Sequence, residues 1–311
     1  MTTATKTTSI ETRHVLSEDE RQIEQAVLAG IHQLFSNPTG NQRETYDTMI
    51  AGTPIADGAT LEAVDRDGVS GWWVRPAGAP ADRAILFLHG GGYMLGSAKA
   101  YRGLASQVAV RAGVAAFVAD YPLAPEQVFP AASEAAAAVR RWLGSQGQGI
   151  SQVALVGDSA GGGLALSVLG DTATNSPAIA SIAVFSPWLD LAMTGASVTS
   201  PDVHDPIFIQ PEMLGGPAAA YLAGADPKDG RASPLYAVPE VLPPLLIQVG
   251  SDEILLDDAR RYAHAAADKG GEVQLDIFEG LHHVFQGATR DLPAARRALD
   301  AVAAFLNRHW A

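Results

Sequence analysis

Three short patterns in this 311-residue chain place serine, histidine, acid and glycine where acyl-transfer chemistry would need them. The first is Gly-Asp-Ser-Ala-Gly, Gly157 to Gly161, which follows the apolar run Gln152 to Val156 and precedes a helix-like stretch ending near Gly170. A G-x-S-x-G sequence between a strand and a helix is a nucleophile elbow. The turn is so tight that a side chain at either flank would clash, and it aims the serine oxygen at the head of the following helix. Ser159 is therefore the candidate nucleophile.

The second pattern is His89-Gly90-Gly91-Gly92-Tyr93, directly after the apolar run Ala84 to Leu88. Successive glycines let backbone N–H groups approach a developing alkoxide, and losing one such donor costs about 3 kcal/mol of transition-state stabilisation. Gly91 and Gly92, with the N–H of Ala160, are the candidate oxyanion donors. A phosphate-cradling loop is disfavoured, because the G-K-[ST] ending and the dinucleotide spacing are both missing.

The third pattern supplies an acid and a base, in the chain order Ser, acid, His. Gly-Ser-Asp-Glu follows the run Leu245 to Val249, and Gly-Leu-His-His-Val-Phe follows Val273 to Glu279. Both fall at C-terminal ends of expected strands, where ligands gather in α/β sheets. Asp252 is favoured as the orienting carboxylate: it comes first after the strand, and its short side chain suits the role. Glu253 is read as the start of the next helix, where a carboxylate favours the positive end. Asp257 and Asp258 are read as solvated. The residues alone do not separate His282 from His283, one of which should be a surface loop histidine. His14, His32, His264 and His309 are read as solvent-facing, and His204 could touch substrate. No histidine or acid cluster has metal-ligand spacing, so no metal is expected.

These groups need a scaffold. Ser17-Glu-Asp-Glu20 reads as a capping box opening a helix through Ile23, Val27, Ile31 and Leu34, and residues 41–52 hold a second short helix. Residues 59–66 and 69–76 flank Asp67-Gly68, a hairpin signal. Thereafter short apolar strands alternate with helices near 98–112, 130–143, 160–170, 256–269 and 291–309, which implies a mostly parallel central sheet with helices on both faces. The proline-rich stretch after Trp188 breaks this rhythm and reads as an insertion of short helices over one end of the sheet. The resulting division is 1–55 as an N-terminal helical cap part, 56–187 as core, 188–240 as a cap insertion and 241–311 as the C-terminal part of the core.

The formal charge of −13 argues against nucleic-acid binding. The chain has no cysteine, hence neither disulfides nor thiolate chemistry. The Thr-rich first dozen residues carry no signal-like apolar run and read as loosely attached. No stretch is long and apolar enough to span a membrane, and the expected location is the cytoplasm.

Together with Asp-Tyr-Pro-Leu-Ala-Pro-Glu at 120–126, Phe-Pro-Ala-Ala at 129–132 and Ser251 to Asp258, these motifs resemble the hormone-sensitive-lipase-like esterases, the family IV bacterial carboxylesterases of the α/β-hydrolase fold. The resemblance implies that His283, immediately before Val284-Phe285, is the catalytic histidine. It also supports Asp252 and implies a small helical cap. It implies a serine carboxylesterase that acts on small-molecule, short-chain esters through an acyl-enzyme, with no cofactor. Lactone hydrolysis or amidase activity with the same triad are the alternatives, and a non-catalytic small-molecule receptor is a remote third. Such relatives often dimerise through a sheet edge, which this sequence does not itself show and which leaves a homodimer open. Pro122 stands where the family has arginine, which bears on how the 120–126 loop is anchored. Phe208, Met213 and Leu255 are the candidate substrate-pocket residues.

Overall fold

The computed structural model describes residues 10–38, 40–146, 149–171, 173 and 176–310. Nine strands among these residues form one sheet: β1 (Glu11–His14), β2 (Ala59–Arg66), β3 (Val69–Pro76), β4 (Arg83–Leu88), β5 (Ala116–Asp120), β6 (Gln152–Asp158), β7 (Ala178–Phe185), β8 (Leu245–Gly250) and β9 (Val273–Phe278). Their order is β1-β9-β8-β7-β6-β4-β5-β3-β2. The β2–β3 and β3–β5 pairs are antiparallel and all others parallel. The opening hairpin turns at Asp67 and Gly68, both with positive φ, the conformation that two-residue hairpin loops favour.

Strand β4 shows why the sheet is covered on both faces. Ile85 and Phe87 pack with α3 (Ala98–Ala112) and α9 (Pro293–Arg308), whereas Leu86 and Leu88 point into the opposite cluster. That second cluster is closed by α4 (Ala131–Ser145), α5 (Ser159–Ser167) and α8 (Leu256–Asp268). A strand buried on both sides carries a continuous apolar run rather than an alternating one, as this one does.

Two helices precede the hairpin, α1 (Glu18–Ser36) and α2 (Gln42–Ile50), each opened by a capping box, from Ser17 and Asn41 respectively. The N-terminal region is not purely helical, however. Glu11–His14 pairs in parallel with β9, Glu11 opposite Leu275 and His14 opposite Phe278, and so extends the sheet. Part of the expectation of a loosely attached N-terminus falls on residues 1–9, outside the described residues. From Glu11 onward a strand replaces it.

The insertion after Trp188 is built of short helices, as its proline content suggests: α6 (Ala196–Thr199), α7 (Glu212–Leu222) and a 3-10 turn at Pro234–Ala237. Asp258, expected to be solvated, is 1% exposed and accepts the N–H groups of Leu189 and Asp190. Burial pushes its pKa up to about 7, against these hydrogen bonds. Asp257 likewise accepts the Ser197 N–H at 2.8 Å. The two acids staple the insertion to α8, a use that helix periodicity does not reveal. No helix among the described residues is long and apolar enough to cross a membrane.

Candidate active site

Helix α5 begins at Ser159 itself, with no gap after β6. The chain turns from strand to helix by placing Ser159 at φ 51, the left-handed region that a non-glycine residue enters only at a cost of about 1–3 kcal/mol. A Cβ on Gly161 would run into the carbonyl oxygens of Leu88 and His89, and one on Gly157 into the carbonyl of Gly161. Both glycines of the motif are therefore fixed by close backbone approach. Ser159 is 4% exposed and sits at a helix N-terminus, where unpaired N–H groups favour negative charge.

The residue before it ties the elbow to the glycine loop. Asp158 accepts the Gly90 N–H at 3.0 Å on one oxygen and the Tyr101 hydroxyl at 2.8 Å on the other. Tyr101 in turn meets Tyr46 of α2 at 2.8 Å. Burial is the dominant influence on Asp158 and raises its pKa to about 7, although its hydrogen bonds and the nearby His283 work the other way. In the glycine loop Gly91 has φ 115 and Gly92 φ 60, so both need glycine. The loop is braced by Tyr121, whose hydroxyl donates to the His89 carbonyl at 2.6 Å and whose ring stacks on His89 at 4.3 Å. Pro217 of α7 stands 3.4 Å from where a Gly92 Cβ would lie, and Tyr221 stacks on Tyr93 at 3.9 Å, so the insertion roofs this loop. The 120–126 segment, with Pro122 in place of the family's arginine, is anchored by Arg43 of α2. Arg43 donates to the carbonyls of Met94 and Ala124 and pairs with both oxygens of Glu126.

The structure corrects the choice of carboxylate. His283 Nδ1 lies 2.8 Å from Glu253 Oε2, and Glu253 is fully buried. Its other oxygen accepts the Gly250 N–H at 2.6 Å and the Ser186 hydroxyl at 2.7 Å. Asp252 instead accepts from Ser251 Oγ at 2.6 Å and is partly exposed. The reason is reach. Residues 251–255 form a turn before α8 starts at Leu256, so Glu253 is not in the helix, and its extra methylene lets the carboxylate fold back onto the strand end and still meet the imidazole. Burial by itself would lower the His283 pKa; the hydrogen bond and charge of Glu253, with Asp205 and Asp158 adding, hold it above the ordinary histidine value.

His282 is not a surface histidine. It is 4% exposed, and its N–H and Nδ1 both meet Glu24 Oε1 of α1, at 3.0 and 2.6 Å. His14 stacks on Phe278 and pairs with Asp276, and His309 lies near Glu272; neither is freely solvated. His32 and His204 are exposed and line a cleft of about 640 Å³ with Asp205, Phe208, Ile209 and Ile254. Of the candidate pocket residues, Phe208 meets the His283 ring edge-on at 4.8 Å. Met213 is 48% exposed on α7, and Leu255 is a core residue 1% exposed. Asp205, which sequence reasoning passed over, is buried and accepts the N–H groups of Ile207, Phe208 and Ile254, which fixes Phe208 beside the Glu253 turn.

A strand-elbow-helix serine, a glycine loop at the neighbouring strand end and a histidine on a buried carboxylate define an α/β hydrolase. Residues 85–287 match the family model of that fold. The chain is 44% identical over 237 residues to an acetyl-hydrolase of Streptomyces hygroscopicus, covering 75% of this chain and 78% of the relative. It is 31% identical to an ethyl acetate hydrolase of Pseudomonas putida, over 90% and 92% of the two chains. A crystal structure of an esterase from the bacterial hormone-sensitive lipase family superposes with a TM-score of 0.85 at 36% identity, covering 94% of this chain and 99% of that one. The chain belongs to the α/β-hydrolase fold family, in its hormone-sensitive-lipase-like branch.

Proposed function

We propose that this carboxylic ester hydrolase acts on short-chain esters with Ser159 as nucleophile, His283 as base and Glu253 as the orienting carboxylate. The observation that carries the reading is Ser159 itself, held at positive φ at the head of α5 between glycines that admit no side chain. His283, with Nδ1 engaged by Glu253, presents its other ring nitrogen to take the serine proton. Ser159 Oγ attacks the ester carbonyl, and the N–H groups of Gly91, Gly92 and Ala160 receive the oxyanion. His283 then protonates the departing alcohol. Water, deprotonated by the same imidazole, repeats the cycle and frees the acid.

Small acyl groups are supported by the names of two relatives, an acetyl-hydrolase and an ethyl acetate hydrolase. Helices α1 and α2, together with residues 188–240, serve in this reading as the cap, with Phe208 against His283 shaping the pocket. The test is covalent. Incubation with a fluorophosphonate, followed by peptide mapping, should place one adduct on Ser159. An adduct on another serine, or none under conditions where esters are hydrolysed, overturns the assignment.

A further inference from the structure

The loop that carries His283 is strained immediately after it. Val284 adopts φ 57, and a β-branched residue in that region is a genuine outlier. Such a conformation persists only when its surroundings over-determine it. On the far side of His283 the restraint comes from the end of β7: the Val284 N–H donates to Ser186 Oγ at 3.1 Å, and that hydroxyl also serves Glu253. On the near side the restraint comes from the other end of the chain. Glu24, 3% exposed, accepts both the main-chain N–H and Nδ1 of His282 on the same oxygen.

The rest of the N-terminal segment is wrapped along the same strand and loop. The His14 carbonyl accepts the Glu279 N–H at 2.9 Å, and Leu16 packs in one buried cluster with Phe278, Leu281 and Phe285. Glu24 thus ends a run of contacts that follows β9 into the histidine loop. We propose that Glu24 is a positioning residue for the base: by holding His282 it sets the main chain from which the His283 ring projects. Productive geometry at His283 then depends on α1 being docked. This rests on the reading of His283 as the base.

A structural tie and a positioning tie differ in what they do to turnover. Glu20, one turn earlier on α1, offers the comparison. Besides its capping-box bonds to Ser17, it pairs at 2.8 Å with Arg297 of α9, whose side chain is more than half exposed. The experiment measures kcat and KM on p-nitrophenyl acetate, with thermal midpoints, for the intact chain and for Glu24→Ala, Glu24→Gln, Arg297→Ala and His283→Ala. Glu24→Ala should lower kcat by about 10- to 100-fold with KM within about twofold, the scale of a displaced catalytic group. Glu24→Gln, which keeps an acceptor for the His282 N–H, should recover part of that loss and keeps the test open if the alanine variant fails to fold. Arg297→Ala should lower the midpoint but leave kcat unchanged. An unchanged kcat in both Glu24 variants, with His283→Ala inactive, overturns the role of Glu24. So does a fall in kcat in Arg297→Ala matching that in Glu24→Ala. An active His283→Ala overturns instead the reading of the base.

Discussion

Glu253 Oε2 stands 2.8 Å from His283 Nδ1, while Asp252, one residue earlier, turns its carboxylate to Ser251. The two acids therefore make opposite predictions. Glu253→Gln should lower kcat on p-nitrophenyl esters by about 10³-fold or more, because an amide N–H facing Nδ1 forces the proton onto the nitrogen that must accept from serine. Asp252→Asn should stay within a few-fold of the parent. Steady-state assays of the two purified variants check this, and the reverse ranking would return the role to Asp252.

The pH dependence follows from the same pair. The base must be neutral to take a proton, and its pKa is held above the ordinary value of about 6.5. Activity should therefore fall away as pH drops through a midpoint higher than 6.5. Removing the Glu253 charge disfavours imidazolium, so residual activity in Glu253→Gln should show that midpoint at lower pH. Profiles of kcat/KM against pH measure both, and an acid limb that does not move would contradict the assignment.

Much of this site is legible in the sequence because its glycines have no alternative. Gly157 and Gly161 are excluded from carrying side chains by neighbouring carbonyls, so the elbow is written in residue types and spacing. The central parallel strands are equally visible, since burial on both faces leaves unbroken apolar runs such as Ile85 to Leu88, whereas the edge strand Glu11–His14 is polar and announces nothing. What escaped are choices between adjacent residues of one chemical type. Asp252 against Glu253 is decided by how far the chain turns before α8, and His282 proves buried through Glu24, a partner distant in sequence. The roles of Asp205 and of Asp258, which reads as solvated, are not legible because their partners are main-chain N–H groups, which no side-chain pattern announces.

Behind the elbow, Tyr101 is buried and joins Tyr46, the Gly90 N–H and Asp158. Tyr101→Phe leaves those groups short of a partner and should cost about 1–3 kcal/mol of stability. Urea unfolding of the variant beside its parent measures the loss; an unchanged midpoint would show that the network contributes nothing net.

Phe208 meets His283 edge-on from the insertion. Phe208→Ala should widen the space beside the base and raise kcat/KM for esters of bulky alcohols relative to methyl esters, by about tenfold. A series of acetates differing only in the alcohol gives the ratio, and an unaltered ratio would remove Phe208 from the pocket.

The most direct test of the account concerns Ser159, 4% exposed at the head of α5. Hydrolysis of p-nitrophenyl acetate by Ser159→Ala, with circular dichroism to confirm an unchanged fold, decides it. The account predicts loss of kcat by about 10⁴-fold or more in a folded protein. A folded Ser159→Ala variant that keeps most of the parent activity would contradict it.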